Sequence, residues 1–261
     1  MTALAGHDAA VASLRALGDE AAGFGITTIQ AMGNSLPAAD LPALLAEAET
    51  SIRWRIIRFP IAVSERDSPA DLGPLPRQPA PLVTVSGVKW ILDGTPVERL
   101  AAMSGPYADR AGWTGALNLS PVELQTVLRR ALNTGDQPMF HSVGDRGIDL
   151  LLSTMEQLAP AERWQRLRVR IEHGEFLTRD RLARAKRLGI VNVQNPAHFT
   201  IPDIMLARFG AARAATAEPV KSILAVLTQD IFTVDANALP ATAAAMTIVN
   251  GRIVRDTLSN R

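Results

Sequence analysis

Two hydrophobic periods take turns along this chain. Val11, Leu14, Leu17 and Ala21 recur at helical spacing, and Gly23 and Gly25 close that helix before the β-rich run ITTIQAMG at 26–33. Leu41, Leu44, Leu45 and Ala48 share one face of a second helix, which leads into RWRIIRFPIAV at 53–63, a strand interrupted by Pro60. Residues 64–81 hold five prolines and no apolar period, so they predict an exposed loop. The strand LVTVSGVKWILDG (82–94) and a polar, glycine-rich excursion through MSGPYADRAGWTG come next. Ser120 then opens a helix as N-cap, with Pro121 at the first helical position and Glu123 completing a capping box. Its apolar stripe is Val122, Leu124, Val127, Leu128 and Leu132.

The unit repeats: a strand to His141, a helix at 145–158 on Ile148, Leu151, Leu152 and Met155, the strand RVRIEHG (168–174), a helix at 179–188 closed by Gly189, and the strand IVNVQN. Strands alternating with helices of ten or more residues predict a parallel sheet with βαβ crossovers. Both outcomes of that pattern, a barrel and an open doubly wound sheet, keep functional groups at the carboxyl ends of the strands. Lys89 with Asp93, His141 and His173 stand at or near such ends. An Ala-rich helix-like stretch at 204–217 precedes a segment, about 223–256, that reads as short strands with Asn250-Gly251 as a hairpin turn.

Composition narrows what such a fold does. A length of 261 residues and 47% hydrophobic content suffice for a sizeable core. The 27 Lys+Arg are scattered among 26 Asp+Glu, which argues against nucleic acid as a partner. No apolar run is long enough to span a membrane, and the N-terminus has no basic region followed by an apolar one, so a cytoplasmic setting is expected. Zero cysteines leave nitrogen and oxygen as the metal ligands.

A single histidine ending a strand is as well explained by core packing as by function. Two histidines and a lysine at strand ends in successive βα units point further. Imidazole suits zinc and similar metals, and a lysine joins such a site only with its amine neutral or carboxylated to a carbamate. GVKWILDG, FHSVGDRGID and RIEHGEFLT, in this order and spacing, resemble the amidohydrolase superfamily, in the branch called amidohydrolase family 3. PYADRAGWTG, VQNPAHF and TIVNGRIVRD are similar to further segments of that family. The resemblance implies a TIM-type (β/α) barrel and a metal-dependent hydrolase acting on carbon–nitrogen bonds other than peptide bonds. It implies that Lys89, carboxylated, His141 and His173 are metal-binding and catalytic residues.

The family pattern also includes an H-x-H that binds a second metal and an Asp on the eighth strand that serves as base. This chain has no H-x-H, and PDIMLARFGAARAATAEPVKSIL runs directly into AVLTQDIFTV where the segment with that Asp is expected. The expectation is therefore an incomplete barrel over 1–217, lacking the first and eighth strands, with a small β-sandwich remnant over 218–261. It would hold one divalent ion, expected to be zinc, take a small-molecule substrate, and pair as a homo-oligomer over its open strand edges. Three readings stay open: a hydrolase of reduced activity, an inactive remnant, and a small-molecule binding module in which the three residues are structural.

Other candidates have plainer explanations beside the functional one. Asp93 and His198 are candidate substrate-binding residues; an Asp-Gly turn after a strand explains the first, and a solvated loop position the second. Asp145 suits the start of a helix, where a carboxylate complements the macrodipole. Strand alternation places Glu172 on the face opposite His173. The basic run 163–170 reads as a solvated connection, and His7 as a solvated residue before the first helix.

Overall fold

The computed structural model describes residues 6–32, 40–60, 75–195, 201–217, 246–249 and 252–256. Six strands form one sheet in the sequential order β1 to β6: β1 Thr28–Ala31, β2 Arg53–Arg58, β3 Val83–Ile91, β4 Pro138–Ser142, β5 Arg170–His173 and β6 Val191–Val193. β1 pairs parallel with β2, and β3, β4, β5 and β6 pair parallel in turn. A sequential parallel order is what the alternation of periods called for, and it is the order of a singly wound barrel sheet. No helix among the described residues is long and apolar enough to cross a membrane.

Contacts divide the chain into two compact units, Met1–Ser86 with Phe232–Arg261, and Gly87–Ile231. In the first, helices α1 (His7–Gly23) and α2 (Leu41–Ala48) join β1, β2 and the start of β3. Ala21, Ala22, Leu41, Leu45, Trp54, Ile56, Val83 and Val85 form its core. Strands β7 (Met246–Val249) and β8 (Arg252–Asp256) pair antiparallel, as expected of a hairpin; the Asn250-Gly251 turn and the rest of 218–245 lie outside the described residues.

The second unit carries α3 (Pro121–Thr134), α4 (Asp145–Leu158), α5 (Ala161–Leu167), α6 (Arg179–Leu188) and α7 (Pro202–Ala214). The capping box of α3 is complete: Glu123 N donates to Ser120 Oγ at 3.3 Å and Ser120 N to Glu123 Oε2 at 2.8 Å. α4 buries the expected stripe, with Ile148, Leu151, Leu152 and Met155 all at 0% exposure. Each such side chain contributes about 1.5–3 kcal/mol. The basic run is less solvated than its composition suggests. Trp164 is fully buried, donating from Nε1 to Met155 O at 2.9 Å, and Arg170 is inside the fold.

β3 runs from the first unit into the second. Val83 and Val85 bury among the first unit's core residues. Gly87 has φ +84°, a conformation that side-chain-bearing residues adopt only with strain. In the second unit Val88 and Trp90 line a small crevice with Val127 and Ala131 of α3. Lys89, between them on the strand, therefore has its side chain on the face away from α3.

A candidate metal centre at the ends of β3, β4 and β5

Register fixes which side chains share a face. Lys89 stands opposite Met139, and Met139 opposite Arg170; one step nearer the carboxyl ends, Ile91, His141 and Glu172 form the next such row. Residues in register on parallel neighbours point the same way. Lys89, His141, Arg170 and Glu172 therefore occupy one face, with Lys89 and Arg170 set roughly 7 Å deeper, two residues at about 3.3 Å each.

Glu172 was expected on the other face, by alternation from His173. The structure reverses this. Glu172 Oε2 lies 4.0 Å from Lys89 Nζ and Oε1 lies 2.7 Å from Arg170 Nη2, with all three residues at 5–6% exposure. Alternation fails at His173, not at Glu172. His173 pairs with Ser142, a position that would turn its ring away from His141, yet the two ring centroids are 4.5 Å apart at an interplanar angle of 67°. The cause is local: His173 has φ +77° and Gly174 φ +64°. A non-glycine residue held in this region costs about 1–3 kcal/mol. Gly174 N donates to Ser142 O at 3.0 Å, Leu177 N to Gly174 O at 3.0 Å, and Gln194 Nε2 to His173 O. A Cβ at Gly174 would lie 2.5 Å from Asn192 Oδ1 and 2.7 Å from Leu177 Cδ1, so glycine is required there.

Asp93 has a scaffold position. It is fully buried, and both oxygens are taken up by backbone donors: Val143 N at 2.9 Å on Oδ1, and Ala102 N at 2.9 Å and Gly144 N at 2.8 Å on Oδ2. The carboxylate thereby ties the end of β3 to residue 102 in the excursion and to the turn between β4 and α4. Burial pushes its pKa up to about 7, against the pull of these three N–H groups and with help from Glu175. Gly144 fits this junction closely, since a Cβ there would sit 2.1 Å from Ala102 O.

Asp145 is the first residue of α4, after Gly144 as N-cap, and accepts from Arg146 N at 2.9 Å and Ser104 N at 2.7 Å. The excursion is also fastened to α7: Ala108 N donates to Arg208 O at 2.8 Å, and Arg213 Nη1 to Gly105 O at 3.2 Å. His198 lies outside the described residues. His7 is exposed, 2.7 Å from Glu47 Oε2, and that carboxylate raises its pKa.

The donor set fits one ion on a condition. His141 and His173 are part-exposed, and rings in edge contact at this distance are close enough to address a shared ion. Among the described residues no group of three His, Cys, Asp or Glu side chains could hold a metal ion. Lys89, on the same face, is the third ligand that the family resemblance implies; its ammonium repels a cation but its neutral or carboxylated amine does not. Burial lowers the Lys89 pKa to about 8; Glu172 opposes that shift and Arg170 adds to it. Sequence reasoning misses Arg170 and Glu172, although two charges spaced by two in an otherwise apolar strand are the signal of a shared buried face. It misses Gln194 too, and no sequence signal marks that residue.

Comparison with known proteins agrees with this architecture. The sequence profile of the amidohydrolase family matches residues 2–225. Protein LONG AFTER FAR-RED 3 of Arabidopsis thaliana is 29% identical over 131 residues, which are 50% of this chain and 22% of that protein. YtcJ of Bacillus subtilis (strain 168), which carries the name of a putative amidohydrolase, is 27% identical over 147 residues, 55% of this chain and 27% of its own length. The structure of an uncharacterized metal-dependent hydrolase from Pyrococcus furiosus superposes with a TM-score of 0.67 at 23% identity, over 85% of this chain and 45% of that one. A second, from Pyrococcus horikoshii OT3, gives 0.68 at 24% identity, over 86% and 44%. The chain thus spans about a quarter of the curated relatives and under half of the solved structures.

Proposed function

Since this chain belongs to the amidohydrolase family, we propose that it is a metal-dependent hydrolase, or the metal-holding part of one, acting on carbon–nitrogen bonds other than peptide bonds in a small molecule. The observation that carries this reading is the edge contact of the His141 and His173 rings at the ends of neighbouring parallel strands, with Lys89 on the same face. His141 and His173 would hold one divalent ion, taken here to be zinc, through neutral imidazole nitrogens, with Lys89 as a carbamate completing the set. An ion held there would supply a nucleophilic water near neutral pH and Lewis acidity toward a carbonyl group.

The protein's own groups do the rest. Glu172 balances Lys89 while its amine is charged, and Arg170 stands ready to balance a Lys89 carbamate. Asp93 holds the β4–α4 turn that comes after His141. No H-x-H pair occurs in these 261 residues, so the chain supplies ligands for one ion, and slow turnover is the expected result. General-base help of the kind an additional Asp would give is typically worth about 10²–10⁴-fold. We place the protein in the cytoplasm, with a second copy of the chain covering β1 and β6, the outer strands of the described sheet.

A second reading is a small-molecule binding module in which the three residues are structural, and one observation favours it: Lys89 is buried 4.0 Å from Glu172, which is itself 2.7 Å from Arg170, an arrangement that suits a charged, structural lysine. Calorimetric titration of chelator-stripped protein with Zn²⁺ separates the two. One ion per chain, lost in both His141→Ala and His173→Ala, supports the hydrolase reading. No binding by the wild type, or binding unaffected by both substitutions, selects the alternative.

A further inference from the structure

We propose that Gln194 is a positioning residue for His173: its side-chain amide, donated to the His173 carbonyl from the end of β6, holds that residue in the left-handed conformation that brings its imidazole against His141. The value of this pairing rests on the metal-centre reading, but the geometry of the two rings stands without it. Plain strand alternation sends residue 173 to the side of Ile171 and Asn192, away from His141. The positive φ of His173 overrides this.

Such a backbone persists where the surroundings over-determine it. Two of the restraints are present whatever the side chains are: the Gly174 N to Ser142 O bond at 3.0 Å and the Leu177 N to Gly174 O bond at 3.0 Å. The packing of Asn192 and Leu177 against Gly174 enforces glycine at 174 but makes no bond to the His173 peptide. The Gln194 amide does, at the carbonyl that must rotate if residue 173 returns to an extended conformation. Gln194 comes directly after β6, on the neighbouring strand to β5, so a side chain of this length reaches the carbonyl without a change in register.

The test uses the whole chain without metal and then with Zn²⁺. Gln194→Met keeps the length and removes the donor; Gln194→Glu keeps length and polarity and also lacks the donor at neutral pH. With four histidines in the chain, ring C–H signals are assignable by substitution. The wild type should show a nuclear Overhauser effect between the His141 and His173 rings and a ring-current shift on each. Both variants should lose both signatures while keeping cooperative thermal unfolding, and should bind Zn²⁺ about 10–100-fold more weakly, the usual effect of removing a group that orients a ligand. If either variant retains the ring contact, the proposal is overturned. If the ring contact is lost but the wild type binds no Zn²⁺, positioning stands and the metal reading fails. Should neither variant fold, amide exchange in the wild type decides: slow exchange of the Gln194 Nε2 protons supports the bond, and exchange at the rate of a solvated amide overturns it.

Discussion

Removing the Asp93 carboxylate should unseat the frame around His141. Asp93→Ala leaves the N–H groups of Ala102, Val143 and Gly144 without their acceptor in a site of 0% exposure. At about 1–3 kcal/mol for each buried donor left unsatisfied, the loss is roughly 3–9 kcal/mol, comparable to the whole stability of many domains. Asp93→Asn is milder. Its remaining oxygen can keep the two donors on the Oδ2 side, while its NH₂ faces Val143 N, so about 1–3 kcal/mol is lost. The pH dependence carries a sign. Burial raises the carboxyl to about 7, well above its ordinary value, so the folded state favours the protonated form. The stabilisation is complete below the ordinary carboxylate range and is lost as pH rises through 7. Relative to Asp93→Asn, which does not titrate, the wild type should lose up to about 1.4 kcal/mol per pH unit between those limits. Urea unfolding of both proteins at half-unit steps from pH 4 to 8 measures this. A wild-type advantage that stays constant over the range would mean that the three N–H donors outweigh burial and keep Asp93 ionised, refuting the reasoning.

Glu172→Gln removes the anion standing 4.0 Å from Lys89 and 2.7 Å from Arg170, two buried cations, and should cost about 3–5 kcal/mol in denaturant unfolding; a loss under about 1 kcal/mol would show that the pair is solvated. Ser120→Ala deletes half of the α3 capping box and should cost about 1 kcal/mol, read as a shift in urea midpoint without a change in slope. Gly87→Ala forces a side chain onto φ +84° and should cost on the order of 1–2 kcal/mol in urea unfolding; unchanged stability would mean that the strand relaxes to an unstrained conformation at that position.

Legibility of the sequence depends on whether the signal is local. The capping box at Ser120, the 145–158 helix and the strands flanking Asn250-Gly251 arise from short-range chemistry and stand where expected. The facing of side chains at the site is harder to read, because it turns on φ at single residues. His173 looks like any strand residue in RIEHG, so alternation misplaces Glu172, and Arg170 reads as part of a solvated run. Asp93 is ambiguous because an Asp-Gly pair after a strand suits a turn, a ligand contact and a buried acceptor equally well; three partners far from it in sequence decide among them.

The left-handed backbone at His173 has a consequence for anyone who wishes to move this centre to another protein. Of the three candidate ligands, Lys89 and His141 take their direction from a regular pleat, and His173 turns at its own left-handed φ. Grafting a lysine and two histidines at matching positions of regular strands would turn the last histidine to the opposite face of the sheet. The transferable unit is that dihedral irregularity, copied with Gly174 and Gln194, and the ligand identities come second.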